Sequence, residues 1–156
     1  MILKVLNTKN ISMNRLKVFL MNNLTLEEIK ENFQLFENQL DKFEYLIELG
    51  KNNVGLDSYN KIEKNLIIGC ASRSWVICNK ENQSFYIKID SEAHIVRGLL
   101  SILQITINGK SKNDISTIDG KKVLTKVGLG NTITSQRMNG FLSALDKVKE
   151  IVKYYD

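Results

Sequence analysis

The 156-residue chain has few of the side chains from which metal sites and disulfide frameworks are built. It contains two cysteines, Cys70 and Cys78, and a single histidine, His94. Two cysteines are too few for a disulfide scaffold or a four-cysteine zinc site, and one histidine excludes a site of two cysteines and two histidines. The sequence therefore predicts a free thiol in a reducing compartment and no metal site.

Long hydrophobic runs and a strongly charged domain are also missing. No apolar run reaches the roughly 18 residues that span a bilayer, so a membrane protein is not expected. The net charge is +5, but residues 1–23 hold four basic residues and no acid: Lys4, Lys9, Arg15 and Lys17. The rest of the chain has 18 basic and 17 acidic residues. A nucleic-acid binder is not expected, because such proteins carry a basic face on the folded domain.

The chain divides into two parts of different character. We interpret residues 1–23 as a basic N-terminal extension or arm, and residues 24–156 as one globular domain. The arm lacks the apolar core and small-residue cleavage site of a secretory signal. It is also poor in Ser and Arg, so we expect a cytoplasmic location, with an organelle such as a plastid as the alternative.

Hydrophobic periodicity predicts helices on both sides of a short strand region. Thr25 and Glu28 form a capping box at the start of the first helix, and Gly50 is expected to end a second helix over 39–49. Ser91 is a suitable N-cap for the most clearly predicted helix. The remaining expected elements are strands at 66–68, 75–78 and 85–89, a hairpin turn over 79–84, short helices at 111–116 and 120–127, and a last helix capped by Thr134 or Ser135. This order predicts an α+β domain with a small antiparallel sheet of about three strands covered by helices.

The two cysteines have different sequence surroundings. Cys70 lies between an apolar stretch and a strand, where a loop would present it to partners, and Gly69 permits close approach. A free thiol has a pKa of about 8.5, so its chemistry needs exposure and help in forming the thiolate. The alternative is that Cys70 is a small buried apolar residue. Cys78 lies in a strand with apolar residues on both faces and is interpreted as a structural core cysteine.

Two further side chains are candidates for a site. His94 lies in the first turn expected after Ser91, where it could cap, pack or exchange protons, but no dyad signature surrounds it. Arg137 lies in the first turn of the last helix, against the helix dipole. That position suggests a salt bridge, a partner contact or stabilisation of a thiolate, with an ordinary surface arginine as the alternative.

Four stretches of the chain occur together in the order and spacing of a known family. They are LTLEEI with YLIELG (24–29 and 45–50), GCASRSW (69–75), SEAHIVRGL (91–99) and TSQRMNG (134–140). The last three are similar to the motifs G-C-x-S-x-x-W, S-D-A-x-I-V-[KR]-G-L and S-x-R-x-x-G of the SufE family of sulfur acceptors. The resemblance covers about residue 24 to the C-terminal helix.

Three departures from that family pattern occur, at four positions. Ala71 replaces the usual Gln after the cysteine, Arg73-Ser74 replaces Gln-Val before the tryptophan, and Glu92 replaces Asp. The first two departures lie beside the thiol, where they bear on partner contact and loop packing rather than on the role of the thiol.

The resemblance implies a fold shared with U-type iron–sulfur scaffolds and a role for Cys70 as a persulfide carrier. Cys70 would take sulfur from a cysteine desulfurase that holds pyridoxal phosphate, stimulate that enzyme, and pass the sulfur to an iron–sulfur scaffold complex. The carrier itself would need no cofactor, would not be an independent enzyme, and would be a monomer or weak homodimer. Residues expected to contact the desulfurase are Arg137, His94, Arg73, Ser72 and Glu92.

Two other functions are compatible with these motifs. One is a related sulfur relay that delivers sulfur to tRNA modification, and the other is a non-catalytic regulator that binds the desulfurase. Because a cluster scaffold of the related fold would use three cysteines and this chain has two, we expect it to carry sulfur without building clusters.

Overall fold

The computed structural model describes residues 23–155, so the predicted arm lies almost wholly outside the described residues. The described part is a mixed helical and antiparallel-strand domain, which confirms the predicted α+β class. Its helices and strands are α1 (Leu26–Gln34), α2 (Gln39–Asn52), β1 (Ser74–Glu81), β2 (Ser84–Ser91), α3 (His94–Ile107), α4 (Lys112–Ser116), α5 (Gly120–Lys126) and α6 (Ser135–Lys153). Two 3₁₀ turns, Ser58–Asn60 and Glu63–Asn65, lie between α2 and β1. None of the helices described here is long and apolar enough to cross a membrane.

Within residues 23–155, five of the six helices begin at a side chain that accepts a backbone N–H bond from the first turn. Such caps satisfy donors that the helix itself leaves unpaired. The capping residues are Thr25, Asn38, Ser111, Asp119 and Thr134. The predicted caps at Thr25 and Thr134 are therefore confirmed.

Strands β1 and β2 form an antiparallel hairpin that pairs Ser74 with Ser91 at one end and Glu81 with Ser84 at the other. Asn82 makes the turn with a φ of 56°, a conformation that Asn tolerates better than most residues. On β2, Phe85, Ile87 and Ile89 are buried, and Tyr86 and Lys88 between them face solvent. The predicted strand alternation is thus confirmed.

The prediction of a third strand at 66–68 is wrong for this part of the chain. Leu66 makes one isolated bridge to Trp75, and the Ile67 N–H donates to the Ser74 carbonyl oxygen at 2.8 Å. The pairing stops there because Gly69, with a φ of 105°, turns the backbone away from the sheet. The described residues therefore hold a two-stranded sheet.

Helix α3 is the centre of the domain, since α1, α2, β2 and α6 all contact it. Its apolar face is fully buried from Leu99 onward, through Leu99, Leu100, Ile102, Leu103 and Ile107, whereas Ile95 and Val96 in the first turn are half-buried. The predicted start at Ser91 is wrong, because Ser91 is the last residue of β2 and the helix begins at His94. The Ser91 hydroxyl instead accepts the Ala93 N–H at 3.2 Å.

Helices α2 and α3 cross with their backbones in contact. A Cβ atom on Gly98 would collide with the Leu46 carbonyl oxygen, and one on Gly50 would collide with the His94 carbonyl oxygen. The prediction that Gly50 ends α2 is therefore wrong, since the helix continues to Asn52. Gly50 is required here for close packing rather than for a helix stop.

A buried carboxylate fixes the loop after α2 against the end of β2. Asp90 accepts the N–H groups of Leu56 and Ser91, both at 2.8 Å, and lies 3.2 Å from the Lys61 ammonium and 3.4 Å from Arg97. Burial alone would raise the pKa of Asp90, but these hydrogen bonds and cations together hold the pKa below its ordinary value. Arg97, which occupies the basic position of the third motif, is thus part of the framework.

We predict that Gly98→Ala destabilises the protein by about 3 kcal/mol or more, because α2 and α3 must separate to admit the methyl group. Helix propensity alone would favour the alanine by about 1 kcal/mol. The direction of the stability change therefore tests whether the two helices cross this closely. Gly109→Ala is the control: nothing lies within 4 Å of its added Cβ, and its positive φ should cost about 1 kcal/mol. Urea unfolding measures both, and a Gly98→Ala variant as stable as the natural chain would contradict this packing.

Candidate functional site

Cys70 lies on a loop that rests against helix α6. A Cβ atom on Gly69 would lie 2.8 Å from the Ser143 hydroxyl oxygen, and a Cβ on Gly140 would lie 3.0 Å from the Cys70 sulfur. The Cys70 thiol donates to the Gly140 carbonyl oxygen across 3.8 Å. Glycine at both positions therefore allows the thiol to lie directly against the helix.

The thiol opens onto a pocket of about 240 Å³ between the cysteine loop, α3 and α6. The α3 wall is apolar, whereas the α6 rim has polar and charged groups. The lining residues are Cys70, Ala71 and Ser72 from the loop, Ala93, Ile95, Val96, Leu99 and Leu100 from the start of α3 and the residue before it, and Thr134, Gln136, Arg137, Gly140 and Phe141 from the start of α6 and its cap. The second and third motifs thus meet the last one around a single cavity.

The Cys70 thiol is half-buried, and its surroundings favour the protonated form. Burial raises the pKa of Cys70, and a hydrogen bond with the Ser74 side chain partly opposes the rise. Ser74 is itself fully buried, and its hydroxyl lies 2.9 Å from the Ser91 hydroxyl. Ser74, one of the departures from the family pattern, therefore brings a polar group to the back of the thiol.

Arg137 lines the same pocket with a cationic group available to a ligand or partner. Its guanidinium carbon lies 5.8 Å from the centre of the Phe43 ring, an arrangement that favours a cation over the ring face. Among residues 23–155, no carboxylate forms an ion pair with Arg137. In this arrangement the group that opposes the raised pKa of Cys70 is Ser74 and not Arg137.

The other residues expected to contact a partner lie outside the pocket, except Ser72, which lines it. Arg73 and Glu92 are both exposed and form an ion pair at 3.9 Å, and the Glu92 N–H donates to the Arg73 carbonyl oxygen. The Arg73 guanidinium also lies 5.6 Å from the Trp75 ring centre. His94 is exposed as the first residue of α3 and does not line the cavity.

Cys78 has a different environment from Cys70. Like Cys70 it is half-buried and packs against the core, but it lies in the middle of β1, and burial raises its pKa to about 11. The Tyr155 hydroxyl donates to its carbonyl oxygen at 3.2 Å. Within residues 23–155 no cluster of three or more His, Cys, Asp or Glu side chains could hold a metal ion. The candidate site therefore consists of one loop thiol and its pocket.

The structure also shows residues that the sequence did not single out. Lys147, on α6, holds the segment before Cys70 through two backbone carbonyl oxygens. Nothing in the sequence distinguishes it from Lys149 or Lys153 on the same helix. Ser143 was likewise unremarkable, although its position one helical turn after Gly140 places it beside the family motif.

Fold and site together define a small α+β protein that presents a half-buried thiol on a loop. Comparison with known proteins assigns the family: the SufE "Fe-S metabolism associated domain" matches residues 27–152. A SufE-like protein of Rhizobium etli is 34% identical over 133 residues, covering 83% of this chain and 90% of the relative. A second SufE-like protein, from Rhizobium meliloti, is 33% identical over 129 residues, covering 80% and 92%. The chain belongs to the SufE family, which suggests a role in iron–sulfur metabolism.

A solved structure supports the fold independently. The solution structure of a hypothetical protein from Thermus thermophilus superposes with a TM-score of 0.65 at 18% sequence identity, covering 82% of this chain and 93% of that one. At this identity the likeness concerns the fold alone.

We predict that alkylation of Cys70 keeps accelerating above pH 8.5, about the pKa of a free thiol. The reason is that only the thiolate reacts, and burial raises the pKa of Cys70. Iodoacetamide labelling of a Cys78→Ser variant, followed by mass spectrometry from pH 6 to about 10, gives the profile. The same variant in urea supplies the unfolded reference, and a folded midpoint at or below that reference would contradict the prediction.

Proposed function

We propose that this protein accepts sulfur as a persulfide on Cys70 from a cysteine desulfurase that holds pyridoxal phosphate, and passes it to an iron–sulfur cluster assembly scaffold. The observation that carries the proposal is the position of Cys70: a half-buried thiol on a loop, at a pocket with room for an added sulfur atom. Membership of the SufE family supports the direction of the chemistry.

The proposed transfer balances without an outside oxidant or reductant. The Cys70 thiolate attacks the outer sulfur of the desulfurase's cysteine persulfide, a sulfur–sulfur bond to Cys70 forms, and the bond inside the donor persulfide breaks. The donor cysteine leaves as a thiolate and takes up the proton that Cys70 lost. A second exchange of the same kind moves the outer sulfur from Cys70 to the recipient. Thiolate fraction and access to the sulfur control both steps.

The resting environment of Cys70 suits a carrier that reacts only after docking. A low-pKa, exposed thiol is readily oxidised, whereas burial raises the pKa of Cys70 and lowers its thiolate fraction. Two sulfur atoms can exchange only in direct contact, so the desulfurase must reach the loop. We infer that docking exposes the thiol and gives it a more polar environment.

The proposed docking face surrounds the mouth of the pocket. Ser72 and Arg137 line the cavity, and the exposed Arg73–Glu92 pair and His94 flank the segments that line it. Because the two members of the exposed pair neutralise each other, Arg137 supplies the unpaired charge among these residues. An acidic group on the desulfurase is the complementary partner.

The remaining expectations belong to the same proposal. Two free cysteines suit a reducing compartment, which the cytoplasm provides and an organelle such as a plastid could also provide. We propose that the protein acts as a monomer or weak homodimer, because one copy of the chain contains the thiol and its whole pocket.

We predict that Cys70→Ser abolishes sulfur acceptance and that Cys78→Ser retains it. The loop thiol can meet a donor sulfur, whereas Cys78 lies in β1 with its pKa raised to about 11. Each folded variant is incubated with the desulfurase and cysteine, and mass spectrometry records the added sulfur. Equal loss in both variants would contradict the assignment. Desulfurase binding without any added sulfur on the natural chain would favour a non-catalytic regulator.

We predict that Arg137→Glu weakens desulfurase binding by about tenfold, the cost expected for placing a like charge against an acidic partner. Folding should change little, because an acid in the first turn suits a helix. Lys121→Glu makes the same charge change in the first turn of α5, away from the pocket lining. Calorimetric binding and thermal unfolding separate the two effects, and unchanged affinity in Arg137→Glu would remove that residue from the docking face.

A further inference from the structure

The segment that leads into the cysteine loop is tied to α6 by one side chain. The Lys147 ammonium donates to the Lys64 carbonyl oxygen at 2.9 Å and to the Leu66 carbonyl oxygen at 2.8 Å. Among residues 23–155, Lys147 has no carboxylate within ion-pair distance. Its half-buried charge is therefore satisfied by the backbone of this segment.

Lys147 completes a row of contacts along one face of α6. Gly140, Ser143 and Lys147 are spaced by three and four residues, so they lie above one another on the helix. Gly140 contacts Cys70, Ser143 faces Gly69, and Lys147 binds the segment at Leu66. The chain from residue 64 to Cys70 thus runs antiparallel to α6.

The same segment is also attached to the sheet. The Ile67 N–H donates to the Ser74 carbonyl oxygen at 2.8 Å, and the Ile67 side chain is buried. The next residue, Ile68, is 81% exposed, and Gly69 supplies a left-handed backbone. The attached part therefore ends abruptly at Ile67, and β1 begins at Ser74 on the other side.

We propose that Lys147 is a positioning residue for sulfur transfer, because, together with the contacts of Ile67 to the sheet, it fixes the upstream end of the cysteine loop and limits the movable part to residues 68–73. A short loop tied at both ends has little conformational freedom to lose when Cys70 meets the donor sulfur. Without the lysine, the 3₁₀ turn at Glu63–Asn65 and the residue after it lose their hydrogen bonds to α6, and the sheet contacts of Leu66 and Ile67 alone hold the upstream end of the loop. The inference rests on the proposed function for its chemical meaning, although the anchor itself can be tested without a desulfurase.

A second lysine of α6 provides a matched control. The Lys149 ammonium donates to the Ile118 carbonyl oxygen, between α4 and α5. It therefore makes the same kind of contact from the same helix to a segment that does not line the pocket. A purely structural role would make the loss of either lysine equivalent at Cys70.

The test compares Lys147→Met, Lys147→Arg and Lys149→Met, each in a full-length Cys78→Ser chain. The first measurement is the alkylation rate of Cys70 without any partner, and the second is the rate of persulfide transfer from a desulfurase at saturating carrier. We expect Lys147→Met to raise alkylation by about tenfold, the effect of losing charged hydrogen bonds that hold the segment. The rate of persulfide transfer at saturating carrier should fall, because a looser loop places the Cys70 thiol against the donor sulfur less often. Lys147→Arg should restore both rates, and Lys149→Met should change neither.

The two measurements separate the structural role of Lys147, the anchor of the segment before Cys70, from the proposed function. If the natural chain accepts no sulfur, the proposed function fails, while the alkylation rates still decide whether Lys147 holds the loop. Unchanged alkylation in a folded Lys147→Met variant would overturn the anchor. Faster alkylation with unchanged transfer would overturn the positioning role, and an equal effect of Lys149→Met would show general loosening and overturn both.

Discussion

The backbone contact between α2 and α3 is the constraint on which the rest of the domain depends. Gly50 and Gly98 let the two helices touch without side chains between them. Helix α2 therefore covers one side of α3, while β2 and α6 pack on its other sides. The start of α3 then forms the apolar wall of the pocket beside Cys70. Changes that move α3 therefore reach the site through packing, since a densely packed interior transmits small shifts.

Cys70 combines two requirements that oppose each other. A thiol that transfers sulfur reacts as the thiolate, whereas a thiol that must survive between reactions is safer protonated and partly covered. The structure favours protection: burial raises the pKa of Cys70, and α6 covers one side of the sulfur through Gly140. The single helix α6 both covers the thiol and, through Lys147, holds the segment before it.

The structure shows what the residues that depart from the family pattern contact. Arg73 and Glu92 face each other across 3.9 Å, and an exposed pair at that distance contributes little to stability, so its effect concerns the character of the surface. Ser74 turns inward, where its hydroxyl lies 2.9 Å from the Ser91 hydroxyl and its polar side chain partly opposes the rise in the pKa of Cys70. Arg73 thus changes the exposed surface beside the pocket, and the adjacent Ser74 changes the environment of the thiol.

The sequence by itself determined the α+β class, the hairpin, most helix boundaries and the loop position of Cys70, because these follow from local periodicity, caps and turn residues. Two predictions from the sequence were wrong: Gly50 does not end α2, and Leu66 makes a single bridge rather than a strand. A glycine or a short apolar run gives the same sequence pattern whether it lies next to solvent or next to another backbone. Tertiary structure alone decided that Arg137 shares the pocket with Cys70, that His94 does not, and that Lys147 rather than Lys149 holds the cysteine segment. These outcomes depend on which carbonyl or side chain a distant part of the chain brings within about 3 Å, the range of a hydrogen bond.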